Sequence, residues 1–303
     1  MPHVYLLTES RFLNRDDSNH HAQHVLEEDV LLSAALLDLG ISSQRVNWAD
    51  SSIDWSTADA AVFRTTWDYF DRFKEFESWL NLASKQVPLI NPLSLLRWNM
   101  DKHYLLDLNE RGFPIVPSIF IEQGEKRSLA ELHASSGWDE VILKPCISGT
   151  ARHTYRLDQS NIPAHESILA ELLQDEAMML QEFHESIIER GEVSHMVING
   201  RYTHSVLKQS KGDDFRVQDS FGGTLHAYSA SPSEIALAES VFASCAPSPI
   251  YGRLDIMWNN EGGQMIGELE IIEPDLWMRM HPEAAINFAQ GIQRALKAQE
   301  AAS

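Results

Sequence analysis

The chain has 303 residues, of which 44% are hydrophobic, and it carries a formal net charge of −20. Such a strongly negative protein repels a nucleic acid backbone, so the composition argues against nucleic acid as a main partner. The first ten residues are too short an apolar run for a signal peptide, and no stretch approaches membrane-spanning length. Two cysteines, Cys146 and Cys245, build no disulfide framework, so a cytoplasmic location is the default expectation.

Residues 1–92 alternate short apolar runs with amphipathic stretches. The predicted strands are 4–8, 44–48, 59–67 and 88–92, and the predicted helices are 25–40 and 71–85. This βαβ rhythm is typical of a small parallel sheet whose functional edge lies at the carboxyl ends of its strands. At that edge Arg64, Trp67 and Asp68 are candidate substrate contacts, although Trp67 is equally explained as a packing residue.

Residues 93–175 begin with a predicted helix that ends at Arg111–Gly112, because glycine after a basic residue is a typical helix C-terminus. Strands are predicted over 113–122 and 140–145. A glycine-containing loop and a further strand follow.

Residues 176–303 contain two predicted hairpins. A strand over 178–183 precedes the first hairpin, in which Asn199–Gly200 supplies a two-residue turn. The remaining elements are a polar stretch at 209–224, a helix near 232–244, the second hairpin and a closing helix from about residue 282.

The second hairpin gathers acidic residues. The strands 253–258 and 267–274 alternate apolar and polar residues around the turn NNEGG, and they carry Asp255, Glu268 and Glu270. Side chains two residues apart on a strand share a face, so Glu268 and Glu270 converge and the pairing brings Asp255 beside them. Three convergent carboxylates favour a Mg²⁺ site with oxygen ligands, and the alternative is a solvated face of an acidic protein.

The order of features along residues 93–275 is more specific than any one of them. Lys102 lies on the predicted helix, Lys144 ends a strand in ILKP, the loop CISGTAR follows, and QEF closes the next apolar strand. With the acidic hairpin, this order resembles the ATP-grasp superfamily. The elements RTTWDY, INP, DK, KP, GDDFRVQDSFGG and ELEIIEP are similar to its glutathione-synthetase-like branch, and within it to the ATP-grasp ligase of cycloserine biosynthesis and its uncharacterised relatives.

The resemblance implies an α/β fold with α+β lobes, in which an N-terminal βαβ parallel-sheet domain precedes two lobes that clasp ATP. The implied boundaries are 1–92 for the N-terminal domain, 93–175 for the central lobe and 176–303 for the C-terminal lobe.

The resemblance also assigns residues to the phosphates of ATP. Lys102 and Lys144 would approach the α- and β-phosphates from opposite sides. The loop after Lys144 offers Ser148, Gly149 and Thr150, because glycine lets backbone N–H groups approach an anion closely. This loop departs from the more glycine-rich form common in the superfamily.

The resemblance assigns further residues to binding of the nucleoside of ATP. Gln181, Glu182 and Phe183 are similar to the hinge that reads adenine through backbone groups, and Gln181 is equally explained as the end of a core strand. Glu192 corresponds to the acid that accepts hydrogen bonds from the ribose hydroxyls, with Glu189 as a near competitor.

The implied catalytic groups are cationic. Arg216 would hold the γ-phosphate or the phosphorylated substrate, with Lys208 as a second candidate for that charge. Arg253 would stabilise charge on the transferring group. Asp255, together with the two glutamates of its hairpin, would hold two Mg²⁺ ions, for which Mn²⁺ is a substitute. Glu270 stands where many relatives carry asparagine.

The implied reaction is ATP-dependent ligation of a carboxylate to an amine through an acylphosphate, with release of ADP and phosphate. Small carboxylate and amine molecules, amino-acid-like or peptide-like, are the expected partners, and a homodimer is the default oligomeric state. The alternatives are a phosphotransferase that stops after phosphorylating its acceptor and a non-catalytic ATP-binding protein. Trp277 and Arg279, after the acidic hairpin, are further candidate substrate contacts.

Two other features have competing explanations. His20, His24 and Glu28 share one face if they are helical, which suits a metal, but the helix is predicted to begin near Val25, and a polar loop is favoured. Cys146 lies beside the phosphate loop, where a spectator thiol is favoured over a nucleophile.

Overall fold

A computed structural model describes residues 1–14, 19–212, 214–217 and 222–302. In this part of the chain the strands form three sheets, one parallel and two antiparallel, with helices packed against them. Asp213 and residues 218–221 of the GDDFRVQDSFGG motif lie outside the described residues. Among the residues described, no helix is long and apolar enough to cross a membrane.

The N-terminal sheet is parallel, as the βαβ rhythm predicts, with strand order β2-β1-β3-β4. Its elements are β1 (His3–Thr8), α1 (His20–Asp38), β2 (Ser42–Asn47), β3 (Ala60–Thr65), α2 (Phe73–Ala83) and β4 (Leu89–Ile90). Helix α1 begins five residues before the predicted Val25, because the Asn19 side chain caps it by accepting from the Ala22 amide at 3.1 Å.

The predicted single helix after residue 93 is two helices, α3 (Leu93–Asn99) and α4 (Tyr104–Glu110). Lys102 lies in the turn between them and not on a helix. Its backbone amide donates to the carbonyl of Cys146 at 2.9 Å, which replaces a bond within the helix.

The central sheet is antiparallel, with strand order β5-β8-β6-β7. Its elements are β5 (Ser118–Ile121), α5 (Leu129–Ser136), β6 (Glu140–Pro145), β7 (Tyr155–Asp158), α6 (Ile162–Leu172) and β8 (Met178–Glu182). The predicted strand 113–122 is shorter because Pro114 and Val116 instead exchange backbone bonds with Ile266. Strand β8 belongs to this sheet although it follows the predicted boundary at residues 175 and 176.

The third sheet is antiparallel, with strand order β11-β10-β9-β12-β13. The remaining elements are α7 (Ser186–Glu189), β9 (Glu192–Ile198), β10 (Arg201–Gln209), β11 (Thr224–Tyr228), α8 (Pro232–Ser244), β12 (Tyr251–Trp258), β13 (Gln264–Glu270) and α9 (Glu283–Ala302). Both predicted hairpins, β9–β10 and β12–β13, are confirmed.

A bulge at Gly267 controls which side chains of β13 face the core. Asp255 pairs with Glu268, whereas the next residue of β12, Ile256, pairs with Ile266, so Gly267 is the extra residue. Ile266 and Leu269 are both buried in one apolar cluster although they are three residues apart. The bulge therefore reverses the alternation of the strand and turns Glu268 away from the core.

Two buried asparagines join the N-terminal segments to the third sheet. The Asn91 amide nitrogen donates to the carbonyls of Tyr251 (2.9 Å) and Ile271 (2.8 Å), and its oxygen accepts from the Ile250 amide (2.7 Å). Asn99 similarly donates to the Leu269 carbonyl at 2.7 Å. These bonds hold the parallel sheet in one place against β12 and β13.

Replacing Asn91 by alanine should lower the free energy of unfolding by about 3 kcal/mol, because three buried backbone groups lose their partner. Urea denaturation measures this change. Asn109→Ala is the matched control, since Asn109 is exposed on α4, and its midpoint should stay near that of the wild type. Equal midpoints for the two variants would contradict the role assigned to Asn91.

A buried histidine makes stability depend on pH. His195, on β9, is fully buried, and its Nδ1 lies 2.7 Å from the Ser205 hydroxyl. Burial lowers the pKa of His195 to about 4, because the charged imidazolium loses its hydration. In the unfolded chain a histidine titrates near 6.5. The unfolded state therefore binds more protons between these values, and stability is lost as the pH falls from about 6.5 to 4.

The loss attributable to His195 should reach about 3 kcal/mol at pH 4, from about 1.4 kcal/mol for each unit of pKa. Urea denaturation at several pH values should show a shallower decline for His195→Gln than for the wild type. His226→Gln is the control, because His226 is exposed on β11, and it should follow the wild-type curve. If the free energy of unfolding of His195→Gln fell with pH as steeply as that of the wild type, groups other than His195 would cause the loss of stability in acid.

Candidate active site

A cavity of about 600 Å³ lies where the three sheets meet. Most of the residues that sequence analysis singled out line its wall. They are Trp67, Lys102, Lys144, Ser148, Gly149, Thr150, Gln181, Glu182, Phe183, Glu192, Lys208, Arg216, Arg253, Asp255, Glu268 and Glu270. Residues separated by up to 203 positions are thus gathered around one space.

The acidic cluster has the arrangement predicted from the hairpin. One oxygen from each of Asp255, Glu268 and Glu270 lies within 4.8 Å of the others. Asp255 is buried, whereas the side chains of Glu268 and Glu270 are 29% and 24% exposed to the cavity. Oxygen-only donors at this spacing suit Mg²⁺, which prefers carboxylates and water and is held by one or two carboxylates in nucleotide sites.

Arg253 neutralises the acidic cluster from the same strand. Its guanidinium donates to both oxygens of Asp255, at 2.8 and 2.7 Å, and to Glu270 at 2.5 Å. Burial tends to raise the pKa of Asp255, but the charges of Arg253 and Lys208 outweigh it and hold the pKa below its usual range. For Glu270, burial and the neighbouring acids prevail over Arg253, and its pKa is raised.

Lys102 and Lys144 reach the cavity from opposite segments. Lys102 is 5% exposed, and its ammonium donates to Glu268 at 2.7 Å and to the Ser148 carbonyl at 2.9 Å. Lys144 ends β6, and burial lowers its pKa to about 8, an effect that Lys102 reinforces and Glu268 opposes. The turn between α3 and α4 is thereby tied to the acidic hairpin and to the loop after β6.

Glu192 begins β9 beside Lys208. The Lys208 ammonium pairs with the Glu192 carboxylate and lies 3.1 Å from Asp255. Gly191 makes this approach feasible, because it has φ +88° and an added Cβ would lie 2.1 Å from the Lys208 carbonyl. Glu189, the competitor for the ribose role, ends α7 and is exposed.

The loop after β6 has a constrained backbone. An added Cβ at Gly149 would lie 2.5 Å from the Phe70 ring, so the glycine is required by the contact with the N-terminal segment. Thr150, Ala151 and His153 all have φ near +50°, which is unfavourable for residues with a Cβ. Such strain persists where surrounding structure holds it, and it is common where a loop binds a ligand.

The segment that is predicted to bind adenine, Gln181 to Phe183, lies at the end of β8 on the cavity wall. The backbone amides of Glu182 and Phe183 donate to the carbonyls of Pro117 and Glu140, both at 3.0 Å. Both amides are therefore already hydrogen-bonded. A base bound here would have to bond to backbone carbonyl oxygens or to the amide of a residue further along the chain. Gln181 is 5% exposed, and its side chain donates to the Ser118 hydroxyl at 3.0 Å.

Two of the three predicted substrate contacts in the N-terminal sheet are structural. Arg64 is 1% exposed and donates to the buried carboxylate of Asp29 at 2.9 Å. Asp68 accepts from the Trp48 indole at 2.7 Å and from Arg72 at 2.8 Å. Those partners hold both side chains within the N-terminal layer, and neither residue lines the cavity, so their contact with a substrate stays a prediction.

Trp67, the third, does line the cavity. Its indole donates to the Glu273 carbonyl at 2.8 Å, and its ring stacks on His21, with 5.4 Å between centroids. Trp277 lines the cavity as well, whereas Arg279 contacts Glu28 at 3.1 Å.

Several wall residues were missed by sequence analysis. Arg11 follows β1, and Glu273 and Asp275 follow β13. Burial, together with Glu270, raises the pKa of Glu273 to about 8. Ligands bind at the carboxyl ends of parallel strands, and this rule indicates Arg11 as well as Trp67. Glu273 could have been found because it lies within the ELEIIEP element that carries the resemblance.

The structure does not support a metal site formed by His20, His24 and Glu28 in α1. His20 and His24 are adjacent on the helix, with 6.0 Å between ring centroids. Glu28, however, is 2% exposed and accepts from the backbone amides of Met278 (2.7 Å) and Arg279 (2.9 Å). Its carboxylate therefore joins α1 to the segment before α9. It is not available to bind a metal ion together with His20 and His24.

The fold and the cavity together define the class of the protein. The chain superposes on the D-alanine–D-alanine ligase of Bacillus anthracis with a TM-score of 0.67, over 99% of this chain and 100% of that one, at 13% identity. That identity is evidence for the fold alone. Together with the closer relatives described next, it shows that the chain is an ATP-dependent ligase with the ATP-grasp fold.

The family is shown by closer comparisons. A sequence profile described as the N-terminal domain of the D-cycloserine synthetase DcsG matches residues 4–91. The cycloserine biosynthesis protein DcsG of Streptomyces lavendulae is 30% identical over 284 residues, which cover 88% of this chain and 93% of that protein. A crystal structure of D-cycloserine synthetase DcsG has a TM-score of 0.85 and 27% identity, over 97% of this chain and 99% of that one. The chain belongs to the DcsG family of ATP-grasp ligases.

Proposed function

We propose that the chain activates a small carboxylate with ATP and joins it to an amine. The γ-phosphoryl group passes to a carboxylate oxygen, which gives an acylphosphate and ADP. The amine then attacks the acyl carbon, the C–O bond to phosphate breaks, and an amide forms as phosphate and a proton leave. The observation that carries this proposal is the acidic cluster of Asp255, Glu268 and Glu270 in the same cavity as Lys102, which is buried, and Lys144, which is half-buried.

The acidic cluster is the proposed Mg²⁺ site. Asp255, Glu268 and Glu270 would hold two ions, with Mn²⁺ as a substitute, and bound Mg²⁺ would offset the charge of the phosphates. The residues fit the ions because all their donors are oxygens and lie within 4.8 Å of one another. In the structure Asp255 and Glu270 share Arg253, and Glu268 pairs with Lys102, so each carboxylate of the cluster has a cationic partner.

The cations are proposed to position the phosphates. Lys102 is buried and Lys144 is half-buried on the wall, where a charge interacts more strongly than it does in water. Lys102 now donates to Glu268, so binding of the triphosphate would exchange a carboxylate partner for a phosphate partner. Arg253 and Arg216 line the same cavity and would stabilise charge on the transferring group, and positioning with electrostatics would supply most of the acceleration.

The nucleoside is proposed to lie between the central and third sheets. Phe183 and the hinge carbonyls would hold the base, and Glu192 would accept from the ribose hydroxyls. The apolar side chains of Ile142 and Met257 line the cavity between them and fit a flat aromatic ring.

The acceptor is proposed to lie at the N-terminal end of the cavity. Arg11 and Trp67 face this end from the parallel sheet, and Glu273 and Asp275 follow the acidic hairpin. Arg11, which donates to Glu9 at 2.8 and 2.6 Å, and Asp275 bring opposite charges to the cavity wall, which suits a zwitterion, because its own carboxylate and ammonium need opposite partners. We therefore propose an amino-acid-like substrate, which agrees in kind with the names of the relatives, a D-cycloserine synthetase and a D-alanine–D-alanine ligase.

Replacing Glu268 by glutamine should lower kcat by at least about a hundredfold, because a charged ligand to the ions is lost while the size of the side chain is kept. ADP release with D-alanine and other small amino acids is the assay. Glu261→Gln, an exposed site in the turn of the same hairpin, should leave kcat unchanged. Circular dichroism should show both variants folded, and full turnover by Glu268→Gln would remove this residue from the metal site.

An ¹⁸O label in the substrate carboxylate tests the intermediate. An acylphosphate route transfers one labelled oxygen to inorganic phosphate, because the amine displaces phosphate together with that oxygen. Mass spectrometry of the phosphate should detect the label only when carboxylate, amine and ATP are all present. A stable phosphorylated product without free phosphate would favour the phosphotransferase, and no ADP with any acceptor would favour a non-catalytic protein.

A further inference from the structure

A second group of metal-binding side chains lies outside the acidic cluster. Asp101, His103 and Cys146 each offer a ligand atom, and these atoms lie within 4.8 Å of one another. Asp101 and His103 flank Lys102 in the turn between α3 and α4, whereas Cys146 follows the end of β6. The group thus joins two segments that are 43 positions apart in the chain.

The group and the cavity lie on opposite sides of one backbone contact. The amide of Lys102 donates to the carbonyl of Cys146 at 2.9 Å, and the Lys102 side chain enters the cavity. The side chains on either side of Lys102 point elsewhere. Asp101 and His103 are 40% and 30% exposed at the surface, and Cys146, 1% exposed, lies beneath them.

We propose that Asp101, His103 and Cys146 form a binding site for a thiophilic divalent cation, with Zn²⁺ as the expected ion. A thiolate, an imidazole and a carboxylate are the three protein ligands that Zn²⁺ takes, and a surface position leaves room for water as a fourth. Bond lengths of 2.0–2.3 Å put tetrahedral ligands about 3.6 Å apart. The three atoms lie within 4.8 Å of one another and so differ from that spacing by roughly 1 Å, which a small adjustment of the site removes.

The surroundings of His103 support this assignment. Its Nδ1 faces the Asp101 carboxylate at 2.5 Å, and its Nε2 lies 3.0 Å from the carboxylate of Glu122. A cation held by Nδ1 leaves Nε2–H to donate to Glu122, which is the carboxylate–histidine–metal arrangement that orients histidine ligands in proteins. The ring also packs on Phe120, with 4.4 Å between centroids, which limits its rotation.

Ligand chemistry separates this site from the acidic cluster. The acidic cluster has only oxygen donors and suits Mg²⁺, whereas sulfur and nitrogen donors favour zinc-like ions. An excess of Mg²⁺ therefore occupies the first site without competing at the second. Because a bound ion would cross-link the Lys102 turn to the end of β6, it would stiffen the segments that bring Lys102 and Lys144 to the cavity.

Co²⁺ is the probe for the test, because a thiolate bound to Co²⁺ gives a charge-transfer absorption that oxygen and nitrogen ligands do not give. The full chain, stripped of metal and kept reduced, is titrated with Co²⁺ in millimolar Mg²⁺. The wild type should develop the band with one equivalent, and Zn²⁺ should abolish it. Cys146→Ala should lack the band. Cys245→Ala is the matched control, since Cys245 is the other buried cysteine, and it should keep the band.

His103→Gln provides a variant that does not disturb the buried thiol, and its Co²⁺ affinity should fall by at least tenfold. Circular dichroism and thermal melting establish that each variant is folded. The proposal is overturned if the wild type gives no thiolate band, if the band survives in Cys146→Ala, or if it is lost in Cys245→Ala. Cobalt absorption without the thiolate band would show adventitious binding only, and would overturn the proposal equally.

Discussion

The compensation of buried charge is the constraint on which the rest of this structure depends. Four acids, Glu192, Asp255, Glu268 and Glu270, share one cavity wall, and an unpaired carboxylate in such a place costs several kcal/mol. Cations are therefore required at specific points. The turn between α3 and α4, strand β10 and strand β12 each supply one. Lys102, from the turn, thereby joins that turn to the third sheet, whereas Lys208 and Arg253 pair with acids of their own sheet.

The pairing of acids with cations on the cavity wall affects how a negatively charged substrate could enter. A protein with a net charge of −20 presents an unfavourable field to a triphosphate, and the wall itself holds at least as many acids as cations. Metal ions at the acidic cluster would release Lys102 and Arg253 from their carboxylate partners. Under the proposed function, the same groups that pair with these carboxylates would then bind the phosphates.

Local patterns in the sequence were enough to predict the acidic hairpin. Alternation and a turn of Asn and Gly residues specify two paired strands, which places the strand of Asp255 beside the strand of Glu268 and Glu270. The bulge at Gly267, which sets Asp255 opposite Glu268, was not predicted, because it depends on which residues the core accepts. Helix α5 was missed although Ser128 and Glu131 form a capping box and Gly137 ends it.

Features that depend on distant partners were beyond sequence reasoning. The break at Lys102 exists because a carbonyl 44 residues later accepts its amide. Arg64 lies at the predicted edge of the parallel sheet, yet Asp29, from the preceding helix, holds it inside the N-terminal layer. The wall residues that were predicted were placed through the resemblance to ATP-grasp enzymes, whereas Arg11 and Glu273 were missed although a strand end and the ELEIIEP element pointed to them.

The last helix has a consequence for how the chain is made. Leu6 of β1 and Leu36 of α1 share an apolar cluster with Phe288 and Ile292 of α9. During synthesis the surface of α1 that packs on α9 therefore stays uncovered until roughly 250 further residues have been added. At translation rates of about 5–20 residues per second, that interval is some tens of seconds. The apolar layer around α1 is thus completed only after most of the intervening chain has been made.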